Sequence, residues 1–361
     1  MNCAEVTYAL SHGLNNIFGK GAFSMSKKKP PARHSLLRRV TLALYIAAVA
    51  VSLVVVVSFV ALKLFAPAPK VPGQVEFPLA TDGPQQSGAL NTADVTGIDQ
   101  PHKVTLNRRR GVYTCLLLGV ADQGGSDTIM LGVFDTGRKT ASLISIPRDT
   151  VVYYNGMYQK INAAYADGPE GVAQCVKEML AVPIDYYVAV NFRAFREIVN
   201  EIGGVWFDVP PGMDYEDPTQ DLYIHLAPGY QQLNGDDALK LVRCRSAYAS
   251  QDIGRAATQR AFLAALAKQT ITLSNVTKVT SLIGILNTYV DSDMPLNDMV
   301  YFGTQAVGMD LDTALTSAVL SSNWIDPYII PGEDEVLELV NSLGIYEEEV
   351  PAAVLRLAHP W

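Results

Sequence analysis

The chain has 361 residues, and its 28 Lys and Arg against 36 Asp and Glu give a formal net charge of −8 at pH 7. This acidic balance argues against general nucleic-acid binding, which requires a basic surface. The charge is unevenly divided, because residues 1–40 hold seven Lys/Arg and one Glu (net +6) whereas residues 67–361 hold 20 basic and 35 acidic side chains (net −15). A local basic site in the long acidic part would therefore stand out.

The first element in chain order is a run of 23 uncharged residues, Val40–Leu62. A helix of this length, at ~1.5 Å per residue, spans roughly 35 Å and can cross a bilayer. A cleaved signal peptide is the competing interpretation, but its apolar core is usually only about 7–15 residues. Because residues 1–39 are basic and basic flanks stay in the cytoplasm, we expect a single-pass cell-membrane protein. Its N-terminus would be cytoplasmic and its C-terminal domain extracellular.

Composition then divides the rest of the chain. Residues 63–103 are rich in Pro and Gly, which is typical of an extracellular linker. Residues 104–332 alternate strand-like and helix-like patterns at a size consistent with one large domain. Residues 333–361 begin with an acidic stretch, for which we expect a closing helix and turn.

Hydrophobic periodicity within the domain predicts an α/β fold, with a central mixed sheet covered by helices. Short apolar runs predict strands, and apolar residues at helical spacing predict helices. The predicted strands are Tyr113–Val120, Thr128–Phe134, Ala141–Ile146, Tyr186–Val190, Val205–Val209 and Tyr328–Ile330, and the predicted helices are Glu170–Leu180, Phe195–Ile202 and one beginning near Asp252.

Three of the four cysteines, Cys115, Cys175 and Cys244, follow the predicted membrane helix. One disulfide and one free thiol are possible in an oxidising exterior. Three separate buried thiols are equally compatible with the sequence, since free cysteine packs as a small apolar residue.

Charged residues follow one predicted strand at Pro147-Arg148-Asp149. Proline stops strand pairing there and places Arg148 and Asp149 just past the sheet edge. Such strand ends are favoured site positions in α/β folds. The alternative is an ordinary solvated Arg-Asp pair at a turn.

A second basic group surrounds Arg243-Cys244-Arg245. If this segment is extended, Arg243 and Arg245 share one face, and their planar donor forks suit phosphate oxygens. Two surface arginines with separate carboxylate partners are the alternative. In a helix beginning near Asp252, Arg255 and Gln259 fall on one face and Asp252 caps the first turn. These groups could converge with Arg148 on one polyanion.

A glycine-containing loop carries Asp122 and Asp127. Mg²⁺ typically takes one or two protein carboxylates together with substrate oxygens and water, so this loop is a candidate Mg²⁺ site, with Mn²⁺ possible. For Asp122 alone an ordinary Asp-Gly turn is the simpler interpretation.

The ordered series SDTIML, SIPRDT, KINAAY, IDYYVAVNF, EIGGVWFDV, LNGDDALKLVRCR and DIGRAATQR, between Tyr113 and Lys268, resembles the LytR-CpsA-Psr family of Gram-positive bacteria. The resemblance implies a phosphotransferase that moves a glycopolymer of the teichoic acid or capsule type. The donor would be linked to a polyprenyl-pyrophosphate carrier in membrane lipid, the acceptor would be peptidoglycan, and nucleic acid would not be a partner.

The resemblance also implies roles for particular residues. Asp127, with Asp122 as a second ligand, would hold the metal. The pyrophosphate would be bound by Arg148, Arg243, Arg245, Arg255 and Gln259, with Asp252 orienting the last helix. The acceptor hydroxyl would benefit from a base, for which Asp127 and Asp149 are both candidates.

Two features depart from the family pattern. Gly125 stands where many members have arginine, and Ala121 interrupts the usual Gly-Val-Asp order. The missing arginine favours an alternative, a non-catalytic envelope module that binds lipid pyrophosphate as a sensor or assembly factor.

Overall fold

A computed structural model of the chain describes residues 67–79, 103–121, 124–218, 222–248, 252–270, 279–307, 309–320 and 322–360. The predicted cytoplasmic tail and membrane helix lie outside these residues, and so does most of the predicted linker. Within the described part, no helix is both long and apolar enough to cross a bilayer. The single-pass anchor therefore stays a prediction.

A six-stranded mixed sheet forms the centre of the domain, in the order β13-β8-β3-β4-β5-β14. β3 pairs in parallel with β8, and β5 pairs in parallel with β14, whereas the other neighbours are antiparallel. The strands of this sheet are β3 (Val112–Val120), β4 (Ser126–Asp135), β5 (Thr140–Ile146), β8 (Tyr186–Asn191), β13 (Val290–Ser292) and β14 (Leu315–Val319). The mixed α/β architecture expected from periodicity is confirmed.

The remaining described strands pair two by two beside the central sheet, as β1–β2, β6–β7, β9–β12, β10–β11 and β15–β16. They are β1 (Gln74–Pro78), β2 (Lys103–Asn107), β6 (Val151–Tyr154), β7 (Met157–Lys160), β9 (Val205–Val209), β10 (Asp214–Asp217), β11 (Leu222–His225), β12 (Gly229–Leu233), β15 (Ser322–Ile325) and β16 (Tyr328–Pro331).

Helices pack around the sheet through apolar side chains at helical spacing, as Val172, Val176 and Met179 illustrate in the first of them. The α-helices are α1 (Pro169–Leu180), α2 (Phe192–Glu201), α3 (Gly235–Arg243), α4 (Asp252–Thr270), α5 (Val279–Tyr289), α6 (Leu296–Ala306), α7 (Leu311–Ala314) and α8 (Glu333–Ser342). One apolar core lies between the sheet, α1 and α8. A second core joins α2, α3 and α4 to the small strands β9, β11 and β12.

The structure corrects one part of the predicted linker. Gln74–Pro78 forms β1 and pairs antiparallel with Lys103–Asn107, and the Phe77 side chain is buried against Tyr346. The high Pro and Gly content of the segment concealed this strand in the sequence. Neither residue interrupts the strand, since Pro78 is its last residue and Gly73 lies just before its first.

Cys115, Cys175 and Cys244 are free thiols, so no disulfide joins them. Burial raises the pKa of both Cys115 and Cys175 to about 12, which keeps these thiols protonated at neutral pH. Of the two possibilities left open by the sequence, separate thiols are the correct one, with Cys175 and Cys244 buried and Cys115 partly buried.

A buried ion pair fixes the start of β3 against the start of β8. Arg108 donates from Nη1 and Nη2 to the two Asp185 carboxylate oxygens, each at 2.6 Å, and the side chains are only 2% and 5% exposed. Arg108 also donates to the Val112 carbonyl, and Asp185 accepts from the Thr114 backbone N–H and hydroxyl. Both charges are thus hydrogen-bonded on several sides, which burial requires.

Replacing Asp185 by Asn should lower the free energy of unfolding by about 3–5 kcal/mol, because Arg108 would stay buried without its counter-charge. Urea denaturation of the variant measures this change. Glu76→Gln serves as the control, since its pair with Lys103 is exposed and such pairs contribute less than about 1 kcal/mol. Equal small effects for both variants would contradict the role given to the buried pair.

Candidate functional site

At one end of the central sheet, the strands β3, β5 and β8 end and β4 begins. Val120, at the end of β3, lies opposite Asn191 at the end of β8 and opposite Ser126 at the start of β4. Ile129 of β4 lies opposite Ile146, the last residue of β5. The residues that follow β5 and β8, and those that begin β4, therefore share this edge, which we call the arginine edge.

Arg148 and Asp127 form an ion pair at the arginine edge. Arg148 Nη1 donates to Asp127 Oδ1 at 2.6 Å, and the side chains are 26% and 40% exposed. The predicted position of Arg148 just past β5 is confirmed. The pair remains accessible to solvent, so a bound anion can compete with Asp127 for the Arg148 guanidinium.

Asp149 is more enclosed than Asp127, with only 7% of its surface exposed. Lys160 Nζ lies 2.8 Å from one carboxylate oxygen, and Arg148 Nε lies 3.8 Å from the other. The Asp149 carbonyl also accepts from the Ile329 N–H of β16. These contacts hold the turn that presents Arg148. They make Asp149 a positioning residue and leave Asp127 as the more accessible candidate base.

The extended conformation considered for Arg243–Arg245 is wrong for its first residue. Arg243 ends α3, and Cys244 after it is extended, with φ −65° and ψ 126°. Asn234 caps this helix by accepting from the Asp237 N–H, and Ala238 and Leu241 are buried at helical spacing. Arg243 and Arg245 therefore do not share the face of a strand.

Arg243 nevertheless reaches the arginine edge by another route. Its Cζ lies 4.7 Å from the centroid of the Phe192 ring, and Phe192 begins α2 directly after β8. An aromatic face attracts a guanidinium through the quadrupole of the ring. Arg245 follows in the same connection and is partly buried.

Helix α4 is tied to the site by polar side chains. Gln259 Nε2 donates to the Val242 carbonyl at 2.9 Å, and Arg260 Nη1 donates to Ser145 Oγ at 3.1 Å. Burial lowers the pKa of Arg260. Arg255, in the first turns of α4, is buried with 6% of its surface exposed. Gln259 thus fixes α4 against the end of α3, a contact that the predicted pyrophosphate role did not anticipate.

Two predicted site residues cannot be placed. Asp122 lies outside the described residues, and the Asp252 side chain is not described although its backbone begins α4. Two other residues were missed as site components, Lys160 and Arg260. Lys160 belongs to the quoted KINAAY motif and Arg260 follows Gln259, but only the fold brings them to Asp149 and Ser145.

The metal prediction depends on Asp127. The described residues contain no group of three or more His, Cys, Asp or Glu side chains arranged to hold a metal. A single half-exposed carboxylate still fits Mg²⁺ of the kind bound mainly through substrate phosphates and water. The donor set is therefore compatible with a metal shared with the substrate.

The α/β domain gathers arginines and an accessible carboxylate at the arginine edge, an arrangement that suits a polyanion. Residues 83–339 match the LytR_cpsA_psr family model. The chain therefore belongs to the LytR_cpsA_psr family, as its motifs indicated.

Two curated relatives illustrate the similarity. The polyisoprenyl-teichoic acid–peptidoglycan teichoic acid transferase TagV of Bacillus subtilis is 33% identical over 186 residues, which cover 48% of each chain. An uncharacterised protein of Staphylococcus aureus is 33% identical over 196 residues, covering 50% of this chain and 48% of the relative. The chain spans about half the length of these relatives.

Solved structures show the same fold. TagT bound to LIIa-WTA aligns with a TM-score of 0.56 and 28% identity, covering 65% of this chain and 90% of that one. Bacillus subtilis TagV aligns with a TM-score of 0.58 and 26% identity, covering 67% of this chain and all of that one (100%).

Gly254, which precedes Arg255, generates a prediction about the start of α4. A Cβ at Gly254 would clash with the Tyr248 side chain, whereas a Cβ at Gly303 in α6 would meet open space. Gly254→Ala should lower the free energy of unfolding by about 1–3 kcal/mol through overpacking. Gly303→Ala should instead raise it by up to about 1 kcal/mol through helix propensity. Urea unfolding of both variants checks this, and a stabilised Gly254→Ala would contradict the close packing.

Proposed function

We propose that the chain is a membrane-anchored phosphotransferase that moves a glycopolymer of the teichoic acid or capsule type from a polyprenyl-pyrophosphate carrier to peptidoglycan. The observation that carries the proposal is the arginine edge, where Arg148 pairs with the accessible Asp127 and Arg243 stacks on Phe192. The names of the TagT and TagV relatives support it, since those proteins are teichoic acid transferases.

The arginines would bind and neutralise the pyrophosphate. Guanidinium forks donate two hydrogen bonds to phosphate oxygens, and these bonds strengthen as charge develops on the leaving phosphate. Arg148 follows β5 and Arg243 ends α3, so the two approach the edge from different elements and together fit a ligand with several anionic oxygens. Arg255 and Arg260 would add positive potential from behind them in α4.

Asp127 would act on the acceptor. A phosphate oxygen that takes the Arg148 Nη1 donor would release Asp127 Oδ1 from its ion pair. The freed carboxylate would accept the proton of the acceptor hydroxyl as its oxygen bonds to the polymer-linked phosphorus. The bond between that phosphorus and the bridging oxygen breaks, and polyprenyl phosphate leaves with the bonding electrons. Asp127 would also hold Mg²⁺ or Mn²⁺, which supplies further charge neutralisation at the phosphates.

The alternative, a binding module without transferase activity, is favoured by the Gly125 departure. Gly125 has φ +89° and a Cβ there would meet open space. A left-handed φ suits glycine and disfavours arginine at this position. With glycine there, the loop lacks one phosphate donor that many family members have. The transfer assay described below separates the two functions.

Anchoring in the cell membrane is part of the proposal and rests on Val40–Leu62 and the basic residues before it. Protease added to intact protoplasts should digest residues 67–361 while sparing an epitope in the N-terminal tail. Protection of the C-terminal domain would contradict the proposed orientation.

Arg243→Ala and Arg245→Ala should each weaken binding of undecaprenyl pyrophosphate about tenfold or more, because each removes a charged phosphate donor. Isothermal titration of the full-length protein in detergent measures this change. Arg138→Ala is the control, since Arg138 is exposed and pairs with Asp135 at the opposite end of the sheet. Unchanged affinity in a folded Arg243/Arg245 double variant would exclude this binding site.

Asp127→Asn should still bind the lipid donor but lose transfer to peptidoglycan fragments by orders of magnitude, even at saturating donor. Asp135→Asn is the control, since Asp135 ends the same strand at the opposite sheet edge. If Asp127→Asn were fully active, Asp127 would be neither the general base nor a metal ligand. A wild-type protein that binds the donor tightly and transfers nothing with Mg²⁺ or Mn²⁺ would establish the binding-module alternative.

A further inference from the structure

The outer face of the β9–β12 sheet carries two exposed aromatic rings that the proposed transfer mechanism does not use. Trp206 and Tyr230 are 47% and 71% exposed. Their rings are stacked, with centroids 5.5 Å apart and an interplanar angle of 21°. Trp206 lies opposite Gln232 and Tyr230 lies opposite Asp208, and all four side chains are exposed. We call these four residues the aromatic platform.

The second core and helix α4 hold the two strands of the platform in place. The alternate residues of the same strands, among them Val205, Val209 and Leu233, are buried in the second core, so neither strand can turn its other face outward. Gln269 of α4 accepts from the Trp206 N–H at 2.9 Å and donates to the Trp206 carbonyl at 3.1 Å. A surface fixed in this way loses little conformational entropy when a ligand binds.

The chemistry of the platform selects one class of ligand. The C–H groups of a pyranose ring pack on the electron-rich face of Trp or Tyr, and the ring hydroxyls need hydrogen-bond partners at its rim. Asp208 supplies acceptors. Gln232 donates one N–H to the Gly203 carbonyl at 2.7 Å, and its second N–H and its amide oxygen supply a donor and an acceptor. A hydrocarbon surface would leave these two polar groups unsatisfied. A polyphosphate would be repelled by the Asp208 carboxylate.

We propose that the aromatic platform binds the neutral pyranose rings of the acceptor glycan strand. Its assignment to the acceptor, and not to the donor polymer, rests on the proposed function and on the charge of Asp208. Gln269 lies 14 residues beyond Arg255 along α4, which is about 21 Å at ~1.5 Å per residue. The platform would therefore contact sugar rings some distance along the strand from the hydroxyl that reacts at the arginine edge.

Co-sedimentation of the full-length protein in detergent with peptidoglycan sacculi, stripped of phosphate polymers by hydrofluoric acid, tests the proposal. Trp206→Ala/Tyr230→Ala should raise the apparent Kd for sacculi at least about tenfold. Trp324→Ala is the matched control, because Trp324 is 61% exposed on another hairpin, and it should bind as wild type. Tyr230→Ala alone, which removes a ring that is 71% exposed, should weaken binding even if the double variant folds poorly.

Two results would support the platform and three would overturn it. Loss of sacculus binding with unchanged affinity for undecaprenyl pyrophosphate supports the platform. If the protein transfers no polymer but its sacculus binding still depends on Trp206 and Tyr230, the platform is supported and the proposed transferase function is excluded. Wild-type binding by Tyr230→Ala and by the double variant overturns the platform, whether or not the protein transfers polymer. Failure of the wild-type protein to bind sacculi, or equal losses in Trp324→Ala, overturns it as well.

Discussion

The buried Arg108–Asp185 pair is the constraint on which the geometry of the candidate site depends. It joins Arg108, four residues before β3, to Asp185, which directly precedes β8. These two strands then run in parallel from Cys115 and Tyr186 to Val120 and Asn191. In a parallel pair with fixed register, the alignment at one end sets the alignment at the other. The pair thus lies at the opposite end of the strands from the arginine edge and still determines which residues meet there.

Three different kinds of group contact the arginines, and they differ in whether they neutralise the guanidinium charge. Arg148 is held by carboxylates, Arg243 by an aromatic face and Arg260 by a hydroxyl. A carboxylate neutralises its partner, so Arg148 becomes fully available only when an anion displaces Asp127. The Ser145 hydroxyl carries no charge and so leaves the charge of Arg260 in place. Arg260 therefore adds positive potential beside the arginine edge, in a domain whose overall charge is negative.

Local sequence signals predicted the central strands well. The apolar runs of β3, β4 and β5 and the helical spacing of α1 are strong because these elements are buried on wide faces. Pro147 correctly placed Arg148 beyond the sheet. The Arg243–Arg245 segment was misjudged because arginine spacing carries no conformational information, whereas the Asn234 cap and the buried Ala238 and Leu241 determine the helix. Neither Lys160 nor Arg260 carries a local signal for its partner, because Lys160 meets Asp149, and Arg260 meets Ser145, only in the folded chain.

The position of β14 has a consequence for the order in which the chain is made. β14 covers β5 in parallel, Leu320 donates to the Ser145 carbonyl, and Ile329 donates to the Asp149 carbonyl. Every residue assigned to the arginine edge precedes these segments in the sequence. A nascent chain that has released Arg255 but not β14 therefore has β5 as an open edge strand, ready to pair with other chains, and the Arg148 turn still lacks the hydrogen bond from Ile329. Completion of the site and protection of the sheet from aggregation depend on the same late segment, so they occur together.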